Sequence, residues 1–141
     1  MKRITAIALF AVASMLGAGN ALAQDHEVRA VVPFDFTVGS KLVPAGNYSI
    51  IQIADNQIEI YSRDQHVAML ALTFADSNKS TNGSKLVFDK YAGQYFLSEI
   101  LCSSAMNVKL PSTNQEKRAR QAAEEQARIP DDSGQVMVAA K

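Results

Sequence analysis

From Ala30 to Val38 the apolar residues fall on every second position. Ala30, Val32, Phe34, Phe36 and Val38 share one parity, and Val31, Pro33, Asp35 and Thr37 share the other. A period of two marks a strand with one buried face. Pro33 has no N–H to give to a ladder, which places it at a sheet edge or a bulge. Gly39-Ser40 and Pro44-Ala45-Gly46 then supply the residues that turns require. Tyr48 to Ile53 is apolar on both parities, and Gln57 to Tyr61 alternates with Ile58 and Ile60 inward. Asp55-Asn56 between these runs predicts a two-residue hairpin turn, and Arg63-Asp64 marks a further turn. Val67 to Ala75 is apolar on both faces, a pattern shared by buried strands and short helices. The turn residues on either side favour a central strand.

A polar loop over Asp76 to Gly83 leads into a strand at Lys85–Asp89 and a return over Gln94–Leu101. A three-residue turn at Tyr91-Ala92-Gly93 would set Lys90 opposite Gln94 and Phe88 opposite Phe96. Ala105 to Leu110 completes the pattern. About seven short strands joined by tight turns predict a mainly β fold, an antiparallel β-sandwich or small barrel, over residues 24–110.

After Leu110 the period changes. Pro111-Ser112 with Gln115 three residues on predicts a capping box. Residues 113–128 are helix formers, with Glu116–Arg120, Arg120–Glu124 and Glu124–Arg128 at i,i+4. The apolar stripe of this one C-terminal helix is Ala119, Ala122, Ala123 and Ala127, so it buries little and docks lightly. Pro130 to Gly134 ends it. Val136 to Lys141 reads as a fraying end, which makes residues 111–141 a helix followed by a flexible tail.

The first 23 residues have a different logic. Lys2 and Arg3 precede an apolar stretch from Ile4 to Leu16, and Ala21-Leu22-Ala23 forms a small-x-small exit. This is the pattern of a secretory signal peptide cleaved after Ala23. An uncleaved anchor is the competing reading, weakened by Gly17, Gly19 and Asn20 in the second half of the stretch. The expected location is periplasmic or extracellular. A lipid anchor would need a cysteine near the cleavage site, and none is there.

The 141 residues carry 14 basic and 14 acidic side chains, which gives no cationic field for nucleic acid. One cysteine cannot form an internal disulfide, and with two histidines it cannot complete a Cys/His zinc site. No metal, cofactor or nucleotide fingerprint is expected. Most strands are shorter than the roughly 9–11 residues of a membrane barrel, which excludes that class.

Pro33-Phe34-Asp35-Phe36-Thr37-Val38-Gly39 followed by Pro44-Ala45-Gly46-Asn47-Tyr48 resembles the opening of a family of small, exported, β-rich bacterial proteins of unassigned function. Leu86-Val87-Phe88-Asp89-Lys90-Tyr91 with Tyr95-Phe96-Leu97 is similar to that family's second signature, a hairpin. Leu110-Pro111-Ser112 ahead of Glu116 is similar to the start of its C-terminal helix. The resemblance spans residues 33–116 and implies a fold and export. It carries no catalytic residue.

Few residues offer chemistry. Cys102 would need a basic neighbour to act as a nucleophile, and by parity it continues the face of Phe96 and Ile100 as a small buried residue. His26 and His66 are isolated and read as surface residues. Asp35 lies on the polar parity of its strand, and Asp89 lies in a hairpin. Glu99 shares parity with Leu97 and Leu101, so it is the acidic residue to inspect for a partner. Tyr48, Tyr61, Tyr91 and Tyr95 could line a sugar- or peptide-binding face or pack at sheet corners. The sequons at Asn47, Asn78 and Asn82 read as turn composition.

These observations favour a non-enzymatic exported β-domain with a binding or structural role at the cell envelope; its partner is unknown, with an envelope protein or a small apolar ligand as the candidates. One alternative is a small barrel carrying an apolar ligand, suggested by strands apolar on both faces. A second is a hydrolase using Cys102 or Glu99. No catalytic, cofactor-binding or metal residue is assigned.

Overall fold

The computed structural model describes residues 27–77, 82–103, 106–126 and 134–141. The leader at 1–23, His26, Asn78 and the Pro130 helix stop lie outside the described residues. Among the described residues the chain is mainly β with a single helix, and the strands form a nearly closed barrel.

Strand β1 (Glu27–Val32) pairs antiparallel with β4 (Gly46–Ala54), from Glu27 opposite Ile51 to Val32 opposite Gly46. The expected strand over Ala30–Val38 is instead two. Pro33 ends β1, and β2 (Phe36–Val38) restarts after a bend whose Asp35 carboxylate accepts the Ala45 N–H at 2.8 Å. The inward parity survives the break, because Ala30, Val32, Phe36 and Val38 all enter the core and Phe34 packs against it. β2 pairs with β3 (Lys41–Val43) and, in parallel, with β9 (Gln94–Leu101) at Thr37 opposite Phe96.

β4 turns into β5 (Gln57–Ser62) through Asp55-Asn56, with Ala54 opposite Gln57, as the sequence predicts. β5 pairs with β6 (Val67–Leu72), and one residue later β7 (Phe74–Ala75) turns to pair with β10 (Val108–Lys109). β10 in turn pairs with β9. β8 (Ser84–Tyr91) lies between β9 and β11 (Gly134–Ala140), and β11 reaches β1. The strands therefore run round from β9 through β8, β11, β1, β4 and β5 to β6, and the β7–β10 step returns to β9. Along the rest of its length β6 is a free edge among the described residues, as is β3.

The C-terminal residues correct the expectation of a fraying tail. All seven residues of β11 pair with β8, and Arg29 and Lys141 exchange backbone hydrogen bonds of 2.8 Å. Val136, Val138 and Ala140 pack on the core with the period of a half-buried strand. Six residues at a chain end gave too short a window for that period to speak.

Two details of the β8–β9 hairpin also differ from expectation. The turn has two central residues, Ala92 and Gly93, at φ +49° and +77°, and Tyr91 is opposite Gln94. Two consecutive positive φ values define the turn whose twist matches that of the flanking strands. The pairing is thus Phe88–Leu97 and Asp89–Phe96, one step from the expected register. Further along, Phe88 is opposite Leu97 and Val87 is opposite Glu99, so Ser98 is the extra residue of a β-bulge. Its hydroxyl donates to the Val87 carbonyl at 3.1 Å.

Aromatic rings fill the barrel interior. Phe36 meets Tyr48 and Phe88 edge-on at centroid distances of 5.2 and 5.3 Å, and Ile50, Ile58, Ile60, Leu86 and Ile100 are fully buried around them. The helix α1 (Asn114–Gln126) lies against β8 and buries Ala123, the light docking expected of an alanine stripe. Its cap is one residue later than predicted. Thr113 Oγ1 accepts the Glu116 N–H at 3.3 Å, making Thr113-x-x-Glu116 the capping box. Of the expected i,i+4 pairs, Arg120–Glu124 is present at 2.9 Å.

Candidate functional site

The residues with the most reactive side chains are placed apart. Cys102 is buried on the core side, its sulfur 3.2 Å from Ser84 Oγ and its N–H held by Asn107 Oδ1 at 3.0 Å. Glu99 is on the opposite face of β9. The Ser98 bulge reverses the parity, so Glu99 points outward and pairs with Lys109 at 3.1 Å instead of joining Leu97 inside. The same reversal separates Phe96 from Ile100 and Cys102. Cys102 and Glu99 therefore share no site. His66 is exposed in the Arg63–His66 turn at φ +52°. Asp89 accepts from Gln135 Nε2 at 3.2 Å on the outer face. Among the described residues no group of three His, Cys, Asp or Glu side chains is placed to hold a metal ion. No described helix is long and apolar enough to cross a membrane.

The tyrosines form no common face. Tyr48 lies inside the barrel and donates to the Pro44 carbonyl at 2.6 Å. Burial, with Asp35 adding to it, pushes its pKa up. Tyr95 stacks on Phe34 at 4.0 Å, and Tyr91 sits beside Phe96 under the helix. Tyr61, together with the edge of Tyr48, lines a surface concavity.

Two surface features stand out in the geometry. The first is the seam left where the barrel fails to close. There the free edge of β6 faces the Gly39–Lys41 turn, with Leu110 and Pro111 at one end, around a cleft of about 290 Å3. Thr73, at the bend between β6 and β7, donates its N–H to the Asn56 carbonyl at 2.9 Å. Asn56 and Thr73 continue the β5–β6 register, so the hydrogen-bonded pairs step by two to Ile58–Ala71, Ile60–Met69 and Ser62–Val67. Ala68, Leu70 and Leu72 consequently turn their N–H and C=O groups toward the seam. The same three residues point their side chains outward, with Leu70 59% and Leu72 61% exposed. Phe74 continues the stripe, and Leu42 on β3 is exposed across the gap. Natural sheet edges are usually guarded by charges, proline or a bulge. β6 has none of these.

The second feature is a bowl of about 720 Å3 over the outer faces of β1, β4 and β5, its lining a mixture of apolar surface and charged or polar side chains. Arg29 grips Glu27 through Nε and Nη2 at 3.0 and 2.8 Å, and Tyr61 OH donates to the same carboxylate at 3.0 Å. These bonds, with one from Ser49, hold the Glu27 pKa down to about 2. Asn47 Nδ2 donates to Asp64 at 3.0 Å across the bowl. Arg63 and Lys141 stand in the same lining.

Sequence reasoning found neither feature. The seam depends on where β6 stops pairing, which no local pattern encodes. The bowl joins residues from four separate segments, among them Glu27, Asn47, Asp64 and Lys141. The one available signal was the unbroken apolar run at Val67–Leu72, which the sequence suggested was central. The structure corrects this to an edge. Comparison of the chain with models of protein families, with characterised proteins and with solved structures found no match.

Proposed function

We propose that the protein is a non-enzymatic, exported β-domain that holds an extended, uncharged segment of a cell-envelope protein along the free edge of β6. The observation that carries this reading is the coincidence at Ala68, Leu70 and Leu72 of outward apolar side chains with backbone groups directed at the seam. A strand added there would gain main-chain hydrogen bonds from the edge and side-chain contacts from the leucine stripe. The lack of charge along Val67–Leu72 selects for a partner strand equally free of charge. Export is supported by the leader pattern at Lys2–Ala23. Kinship with small exported β-rich proteins belongs to the same proposal and rests on the Pro33–Gly39 and Leu86–Tyr91 patterns.

Carrying an apolar ligand inside the barrel is less favoured, because Phe36, Tyr48 and Phe88 occupy that space. Hydrolysis by Cys102 or Glu99 is less favoured because the two residues face opposite ways.

The test is amide hydrogen exchange on the full chain with and without an alternating threonine–valine peptide. Strand addition slows exchange at Ala68, Leu70 and Leu72 by about tenfold or more, since those donors gain partners. Unchanged exchange at these three residues, or slowing spread evenly over the barrel, overturns the proposal.

A further inference from the structure

We infer that the bowl over β1, β4 and β5 is a second, independent binding site, and that its ligand is a saccharide bearing one carboxylate. Its volume of about 720 Å3 falls in the usual range of small-molecule sites. The charged side chains in its lining are Arg29, Arg63 and Lys141 against Glu27 and Asp64, one more cation than carboxylate. The cationic side chains suit an anionic group on the ligand.

The hydrogen-bond inventory sharpens the charge argument. Glu27 is fully engaged by Arg29, Tyr61 and Ser49, and a pKa near 2 keeps it ionised at any physiological pH. It therefore serves to orient Arg29 and Tyr61, and it does not repel the ligand as an unpaired charge would. Arg29, bound through Nε and Nη2, still has Nη1 to offer, and its side chain is 72% exposed. Arg63 makes no ion pair among the described residues. The cations thus supply donors for a carboxylate, and Arg63 has the planar fork that binds one in two places.

The remaining groups fit hydroxyls. Asn47 gives its N–H to Asp64, and among the described residues its Oδ1 is left to accept. Asp64 keeps a second oxygen, and the Tyr61 oxygen can still accept. A ring with several hydroxyls, each both donor and acceptor, uses this mixture. A simple fatty acid would leave it unpaired. Val31 and Ala139 give part of the lining an apolar character against which the carbon face of a sugar can rest.

The experiment follows backbone and side-chain NMR signals of the full chain during titration with glucuronate, and separately with glucose, acetate and inorganic phosphate. Saturable shifts at Asn47, Tyr61 and Arg63 with glucuronate are expected, with glucose and acetate each weaker by about tenfold or more. Arg63→Gln is expected to weaken glucuronate about tenfold while leaving glucose unchanged, and Tyr61→Phe to weaken both. Arg63 is an exposed turn residue, so its variant retains the fold. No saturation by glucuronate, equal binding of phosphate or acetate, or indifference of glucuronate to Arg63→Gln overturns the inference.

Discussion

Phe96 lies opposite Asp89 on the outer face of the barrel, one register step away from the position opposite Phe88. That step decides what the ring does. Opposite Phe88 it would join the core, whereas beside Asp89 it is buried outside the barrel next to Tyr91. A slip of one residue exchanges the two faces of a strand, and the turn sets the slip. The Ala92-Gly93 turn requires positive φ at both central positions.

Ala92 pays the strain of that conformation and Gly93 does not. Ala92→Gly is expected to stabilise the protein, and Gly93→Ala to destabilise it, each by about 1 kcal/mol. A Cβ on Gly93 would meet nothing within 4 Å, so the effect is conformational and not a clash. Urea midpoints of the two variants check the opposite signs.

The same hairpin shows how much of the fold was legible. Alternation located the strands, and Asp55-Asn56 placed the β4–β5 turn from composition alone, while an extra residue at Ile53 shifts the register beyond it. Tyr91-Ala92-Gly93 offered a glycine but not the length of the turn. The Ser98 bulge was invisible, because an extra residue in a strand leaves no mark on composition and yet reverses every later side chain. Glu99 therefore read as an inward charge when it is an outward one.

The end of the chain is expected to be indispensable. β11 supplies the partner of both β8 and β1, and its removal would leave two edges in the middle of the sheet. Deleting residues 134–141 is expected to abolish the cooperative unfolding transition, and Val138→Asp to destabilise the fold by several kcal/mol, about 2–4, by placing an unpaired charge against the core. Thermal melts by circular dichroism distinguish this from a dispensable tail, whose loss would leave the transition intact.

Glu27 makes stability depend on acid. Its hydrogen bonds to Arg29, Ser49 and Tyr61 lower the folded pKa from 4.5 to about 2. The unfolded chain therefore binds the proton first as pH falls. The contribution is fully present above about pH 4.5 and is lost as pH falls toward 2. Glu27→Gln is expected to shrink the fall in urea midpoint between those two pH values. Equal falls in the two proteins would show that these bonds do not form in solution.

The leucine stripe is expected to be free of structural duty. Leu70→Lys should change folding stability by no more than about 0.5 kcal/mol, as is usual for exposed positions. The same change places a charge on the unguarded edge and should lower self-association at high concentration. Paired urea denaturation and light scattering measure the two effects. A large loss of stability would mean that Leu70 is packed against something.

The most direct measurement is amide hydrogen exchange along β6 in the unliganded full chain. An open edge predicts alternation, with Val67, Met69 and Ala71 protected by β5 and Ala68, Leu70 and Leu72 exchanging much faster. Uniform protection of all six amides would show that the seam is closed and that β6 has no free edge to offer.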